Sequence, residues 1–152
     1  MLPMNKTKLL FLCTGNSCRS QMAEAWTRRL KGDLYEVFSA GIEAHGLNPS
    51  MVKVMAEVGI DVTGQTSDLV TSFFDTGIEI VVSVCAHAEA NCPIFPGKVR
   101  RVHQGFDDPP GLAREIAAKG ASAEEQLAPY RRVRDEIKTW VETLPEALEV
   151  NA

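Results

Sequence analysis

Four cysteines, Cys13, Cys18, Cys85 and Cys92, are the residues of this chain best suited to chemistry. Cys13 opens the run Cys13-Thr14-Gly15-Asn16-Ser17-Cys18-Arg19-Ser20, in which five residues separate a cysteine from an arginine. An apolar run of strand character, Lys8 to Leu12, precedes it, and Met22, Trp26 and Leu30 follow at helical spacing until Gly32. A loop between the end of a strand and the start of a helix aims several backbone N–H groups at one spot, and the helix dipole adds positive potential there. Gly15 lets the backbone turn tightly, and the planar fork of Arg19 matches two oxygens of a tetrahedral oxyanion. Thr14, Gly15, Asn16, Ser17, Cys18 and Arg19 are thus the expected oxyanion cradle. A thiol at its head has a pKa lowered from the usual value of about 8.5. Cys13 is expected to be largely thiolate, with Ser20 donating a hydrogen bond to it. Such a site suits nucleophilic attack on phosphorus or arsenic.

Cys85 directly follows the most apolar segment, Ile78 to Val84, and Cys92 comes seven positions later. Functional loops of a parallel sheet gather at the C-terminal ends of its strands. If the first and third strands are neighbours, as in a flavodoxin-like order, Cys85 lies near Cys13. The intervening segment, Ala86 to Asn91, is polar and alanine-rich, and a Cys85–Cys92 disulfide requires it to rearrange. Read singly, each of these cysteines is equally a small buried hydrophobe. No Cys-x2-Cys pair exists, which argues against zinc.

The elements that position these residues follow from hydrophobic pattern. Tyr35 to Ala40 alternates as a strand. Pro49 opens a helix with Met51, Met55 and Val58 on one face, ended by Gly59, and Thr66 to Phe74 is a short helix or turn. A fourth strand is expected in Lys98 to His103. Ser122 with Glu125 reads as the capping box of a short helix. Pro129 starts a last helix with Tyr130, Val133, Ile137, Trp140 and Leu144 as its buried stripe. Strands alternating with helices predict an α/β fold: a single doubly wound domain over residues 1–152, with a four-stranded parallel sheet flanked by helices. Hydrophobic residues make up 45 % of the 152 residues and charged ones 24 %, which suits one packed core rather than disorder. The net charge of −4 supplies no basic field for nucleic acid or an anionic membrane, so an anion must be held locally. The run Leu9 to Leu12 is too short for a signal peptide or a membrane span. A cytoplasmic monomer with reduced cysteines is expected.

The loop Cys13 to Ser20 resembles the active-site loop of the low-molecular-weight protein-tyrosine phosphatases and of the arsenate reductases that share their fold. Asp108-Pro109 resembles the family's general-acid loop, and the likeness extends from Lys8 to about Leu144. The spacing of Cys13, Cys85 and Cys92 is similar to that of the thioredoxin-coupled arsenate reductases. That resemblance implies three displacements. Cys13 attacks arsenate while Asp108 protonates the departing oxygen, Cys85 attacks Cys13 and releases arsenite, and Cys92 attacks Cys85. Thioredoxin or a similar dithiol protein then reduces the Cys85–Cys92 bond. No cofactor is required.

In some members Asn16, Glu24, Ser39 and Asp68 correspond to ligands of a potassium ion. The alternative is a hydrogen-bond network, Thr66 included, that braces the loop. Cys18 is shared with the phosphatases and receives no step. His87 is read as an exposed residue of the 86–91 segment, and His45 and His103 as lacking a constellation. Arg131, Arg132 and Arg134 are read as the wet face of the last helix. Residues 111–128 exceed the family's compact pattern and imply an added helix at the site's rim. A phosphatase is the alternative function, but the Pro110-Gly111 that follows Asp108-Pro109 offers no aromatic lining for an aryl pocket. A non-catalytic oxyanion-binding module is the third reading, and retention of both Cys13 and Arg19 argues against it.

Overall fold

A computed structural model describes residues 6–149; residues 1–5 and 150–152 of the expected domain lie outside the described residues. Strands β1 (Thr7–Cys13), β2 (Tyr35–Gly41), β3 (Ile80–Ser83) and β4 (Arg100–His103) form a four-stranded parallel sheet in the order β2-β1-β3-β4. Parallel neighbours need crossovers. Helix α1 (Arg19–Lys31) links β1 to β2, α2 (Pro49–Glu57) and the 3-10 turn Val70–Phe73 lie between β2 and β3, and α3 (Ala86–Ala90) lies between β3 and β4. Helices α4 (Pro109–Ala118), α5 (Ala128–Glu142) and α6 (Glu146–Glu149) follow. This is the expected flanked parallel sheet. Among the described residues no helix is long and apolar enough to cross a membrane.

Leu9, Leu10, Phe11 and Leu12 of β1 are all 0 % exposed, so both faces of the central strand are covered and its sequence does not alternate. On one face Phe11 meets Trp140 of α5 edge-on at 6.1 Å. Helix α1 docks on α5 through Trp26, whose indole N–H donates to the Arg134 carbonyl at 3.1 Å. On the other face Phe38 meets Phe73 of the 3-10 turn at 5.5 Å.

Register sets the site. Leu12 pairs with Ala40 on one side and Ser83 on the other, so β1 and β3 end at the same edge. The amide of Val84 donates to the Leu12 carbonyl at 2.9 Å, and that of Phe106 to the Val84 carbonyl at 3.0 Å. The chain beyond β4 therefore delivers Asp107 and Asp108 to the edge where Cys13 and Cys85 emerge.

Several expectations are corrected. Strand β3 spans Ile80–Ser83 rather than Ile78 to Val84, although Glu79 and Val84 carry its hydrogen bonds one residue further at each end. Strand β4 starts at Arg100, because Gly97 at φ +83° turns the chain just before it. The Ser122–Glu125 box closes reciprocally at 2.9 and 3.1 Å. It nevertheless opens only a 3-10 turn, Glu125–Leu127. Pro129 lacks the N–H that a helix continuing from Glu125 would require. The added helix at the rim is α4.

On α5, Tyr130, Val133 and Ile137 are buried as expected, Trp140 is half-buried, and buried Leu144 lies past the helix end. Arg134 is not on the wet face. It is 8 % exposed, and its guanidinium donates to the Val54 carbonyl and to Glu57, each at 3.0 Å. Arg131 and Arg132 keep the outer face, paired with Glu57, Glu124, Asp107 and Glu136.

Candidate active site

The loop after β1 is shaped by its main chain. The carbonyls of Cys13, Thr14, Gly15 and Ser17 accept the amides of Ile42, Glu43, His45 and Asn48 at 3.2, 2.8, 2.9 and 2.9 Å. The Asn16 carbonyl accepts from the Gln21 side chain at 2.9 Å. In a trans peptide N–H and C=O point opposite ways. Five carbonyls held outward therefore leave the amides of residues 14–18 facing inward, ahead of α1. No side chain caps α1 and no acid sits in its first turn, so its N-terminal amides are not taken by the protein's own carboxylates.

Asn16 sits in the left-handed region at φ +48° and is fully buried. Its amide donates to Ser20 and Ser39, both at 2.9 Å, and its oxygen accepts the Asp68 backbone N–H at 2.7 Å. Ser39 in turn donates to Glu24 at 2.5 Å, and Arg28 lies 2.5 Å from the other Glu24 oxygen. The Asp68 carboxylate accepts from Thr66 at 2.6 Å. These oxygens are committed to one another, and Arg28 already supplies positive charge at Glu24. The bracing network weighed against potassium is thus formed, by the same Asn16, Glu24, Ser39 and Asp68 oxygens that would hold the ion. It also corrects Ser20. Its hydroxyl accepts from Asn16, and among the described residues it makes no hydrogen bond to Cys13.

Above the loop opens a pocket of about 460 Å³ bounded by Cys13, Arg19, His45, Asn48, Asp108, Pro110 and Arg114. A larger hollow of about 640 Å³, between Thr7, Ile80 and Arg100, lies at the other end of the sheet and has no cysteine in its lining. Arg19 is fixed by donating to the Phe106 carbonyl at 2.9 Å, and its guanidinium lies 3.7 Å from the Asp108 carboxylate. Asp108 has the extended backbone required before Pro109, and its side chain does not cap α4. Asp107 turns away to Arg132 at 3.0 Å.

Cys85 reaches the nucleophile across the sheet edge. Cys13 and Cys85 are 4 % and 5 % exposed and face each other, each the largest influence on the other's ionisation. The facing sulfur and burial raise the Cys13 thiol well above its usual value, against the pull of Arg19 and the Thr14 amide. Its partner, helped by the Thr14 hydroxyl at 3.3 Å and the Ala88 amide at 3.4 Å, is lowered. The two sulfurs titrate as one pair, so the expected thiolate belongs to the pair rather than to Cys13 alone. Burial pushes Cys18 up to about 12 and also raises Cys92, which lies beyond α3 and donates to the Pro93 carbonyl at 3.5 Å.

Three pocket-side residues are not predicted from sequence, His45, Asn48 and Arg114. The His45 ring lies over Gly15, where a Cβ would come within 2.3 Å of Nδ1, and its Nε2 pairs with Glu43 at 2.8 Å. Asn48 and Arg114 line the wall. His87 is exposed as expected, yet it hydrogen-bonds Thr14 at 3.1 Å. His103 does have a constellation, with Ser83 and Glu89.

Residues 8–152 match the family described as low molecular weight phosphotyrosine protein phosphatase. The chain is 50 % identical over 143 residues to an arsenate reductase of Halalkalibacterium halodurans, covering 94 % of this chain and 98 % of that one. A solved arsenate reductase in its phosphate-binding state is similar at 30 % identity and a TM-score of 0.69, covering 95 % of this chain and 98 % of that one. The thioredoxin-dependent arsenate reductase of Corynebacterium glutamicum shares the fold at 20 % identity and a TM-score of 0.67, over 99 % of this chain and 66 % of that one. With the loop after β1, Asp108 before Pro109 and the parallel sheet between them all in place, the chain belongs to the low molecular weight phosphotyrosine protein phosphatase family.

Proposed function

We propose that this chain reduces arsenate to arsenite through Cys13, Cys85 and Cys92, and that a dithiol protein of the thioredoxin type restores it in the reducing cytoplasm. The observation that carries the reading is the second sulfur: Cys85 lies 3.3 Å from the hydroxyl of Thr14, the residue after the nucleophile, at the base of an oxyanion pocket. A phosphatase has no step for it. Relatives named arsenate reductase support the same reading.

The geometry supports the following steps. Inward amides and Arg19 hold the arsenate oxygens. Cys13 attacks arsenic as the thiolate, its proton released to water, while Asp108 protonates the oxygen that leaves as water. Cys85, as the thiolate, attacks the Cys13 sulfur. The S–As bond breaks, its electron pair stays on arsenic, and arsenite departs as a Cys13–Cys85 disulfide forms. Cys92 attacks Cys85 and frees Cys13, and two exchanges with the external dithiol reduce the Cys85–Cys92 bond.

A phosphatase remains the second reading, favoured by the family and by a loop and acid that work without Cys85 or Cys92. Against it, the pocket lining contains no aromatic residue to grip an aryl group. Arsenite production with a thioredoxin system, run beside aryl-phosphate hydrolysis on one sample, separates the two. Peptide mapping after one turnover should find Cys85–Cys92 in the wild type and Cys13–Cys85 in Cys92→Ser. A wild type that makes no arsenite, or that accumulates only Cys13–Cys18, would overturn the relay. Weak aryl-phosphate hydrolysis should survive Cys85→Ala and vanish in Cys13→Ser.

A further inference from the structure

Helix α3 stands between the two cysteines that must join. Helix α3 is Ala86–Ala90, with Cys85 at its N-cap and Cys92 just past its C-cap Asn91; seven steps at the helical rise of about 1.5 Å amount to roughly 10 Å, whereas the α-carbons of a disulfide lie about 4.4–6.8 Å apart. Helix α3 must therefore open before Cys92 reaches Cys85.

Two separate sets of contacts hold it closed. The first turn is held through Cys85, whose sulfur accepts the Ala88 amide at 3.4 Å, and by Thr14, which bridges Cys85 and His87 at 3.3 and 3.1 Å. The last turn is held through Glu89. The buried Ser83 hydroxyl donates to the Glu89 carboxylate. Having given its one proton there, Ser83 accepts from His103 Nδ1 at 2.8 Å. His103 and Arg101 lie 3.8 and 4.0 Å from the same carboxylate, and Arg101 also donates to the Glu89 carbonyl at 3.2 Å. Ser83 and His103 belong to β3 and β4, so this contact ties α3 to the sheet itself.

The reaction weakens only the first of these holds. Once Cys85 is bonded to Cys13 its sulfur carries no negative charge, and its pull on the Ala88 amide falls. The Glu89 contacts are untouched by that chemistry. We propose that Glu89, clamped by Ser83, His103 and Arg101, is the latch of α3, and that its release sets the rate of the third displacement. In that step the Cys92 sulfur bonds to the Cys85 sulfur, the Cys85–Cys13 bond breaks, Cys13 leaves as thiolate, and the Cys92 proton goes to water. The inference rests on the relay proposed above. Glu89, Ser83 and His103 are positioning residues, because none of them touches a reacting sulfur.

The test is a timed single turnover of the full chain with arsenate, quenched and mapped for disulfides, in the wild type, Glu89→Gln and Glu89→Ala. Conversion of Cys13–Cys85 to Cys85–Cys92 should be roughly three- to tenfold faster in Glu89→Ala, as expected for loss of charge-assisted hydrogen bonds at a half-exposed site. Glu89→Gln, which keeps the contact to Ser83 without the charge, should fall between. Formation of Cys13–Cys85 should be unchanged in both, which a general loss of structure would not allow. Amide hydrogen exchange at residues 88–91 of the reduced protein should quicken in the same order. Equal or slower conversion in Glu89→Ala, or unchanged exchange, overturns the latch. A wild type that yields no arsenite overturns the relay instead, and the exchange measurement, made without arsenate, shows which of the two has failed.

Discussion

Two thiols that face each other cannot both ionise freely, because a charge on one disfavours a charge on the other. In the Cys13–Cys85 pair the facing sulfur raises Cys13 and lowers Cys85, and the two ionisations belong to the pair rather than to either sulfur. Removing Cys85 removes the largest influence that raises Cys13 and leaves the lowering ones, Arg19 and the Thr14 amide, in force. The pH curve of Cys13 alkylation should therefore move to lower pH in Cys85→Ala. A curve that stays in place or moves up would show that burial, not the facing sulfur, governs Cys13. The acid makes a second case. Asp108 lines the pocket 3.7 Å from Arg19, while Asp107 is bonded to Arg132 at 3.0 Å outside it. General acid–base help is typically worth about 10²–10⁴-fold. Asp108→Asn should slow formation of the Cys13 adduct at least about tenfold more than Asp107→Asn, measured as single-turnover rates. Equal defects would remove Asp108 from the mechanism. The placement of Cys13, Arg19 and Asp108 around one pocket is legible in sequence because each belongs to a short local pattern: a strand, loop and helix for Cys13 and Arg19, a proline after Asp108. His45 and Arg114 were not legible, since nothing in their neighbours along the chain indicates that packing turns them towards the pocket.

Helix α5 shows where pattern reading meets its limit. Its apolar stripe was visible at spacings of three and four, yet Arg134 falls beside that stripe and is drawn inside by partners on α2. Its guanidinium satisfies the Val54 carbonyl and pairs with Glu57. Long side chains bury their stems in this way while the charged head finds acceptors, so a charged residue in a helical repeat does not by itself mark the wet face. Truncation would leave the Val54 carbonyl without that donor. Arg134→Ala should cost about 1.5–3 kcal/mol in urea unfolding, the range for a hydrogen bond to a charged group, whereas Arg132→Ala on the outer face should cost less than about 1 kcal/mol. Similar losses in both variants would mean that the α2–α5 contact does not depend on the buried arginine. The short helix α3 illustrates the opposite case. Its alanine-rich segment was recognised as able to change shape, but its ties to β3 and β4 depend on Ser83 and His103, whose meeting with Glu89 only the folded sheet reveals.

The strand order β2-β1-β3-β4 converts a distance along the chain into a contact. Cys13 and Cys85 meet because β1 and β3 are adjacent and parallel, which puts their ends at one edge, and this much followed from the alternation of strands and helices together with the rule that loops at that edge carry function. What the alternation does not contain is the path of residues 42–48, which form no regular element until α2 begins at Pro49 yet run alongside the catalytic loop and take up four of its carbonyls through their own amides. The surface proposed to bind the anion is therefore main chain pressed into shape by other main chain, a mould whose form owes little to the side chains of Thr14 or Ser17. A proline at Glu43 or His45, lacking the amide, would deform that mould from outside. New chemistry can then arrive by setting further side chains around it, as the sulfur of Cys85 is set here, while the mould itself is handed on unaltered.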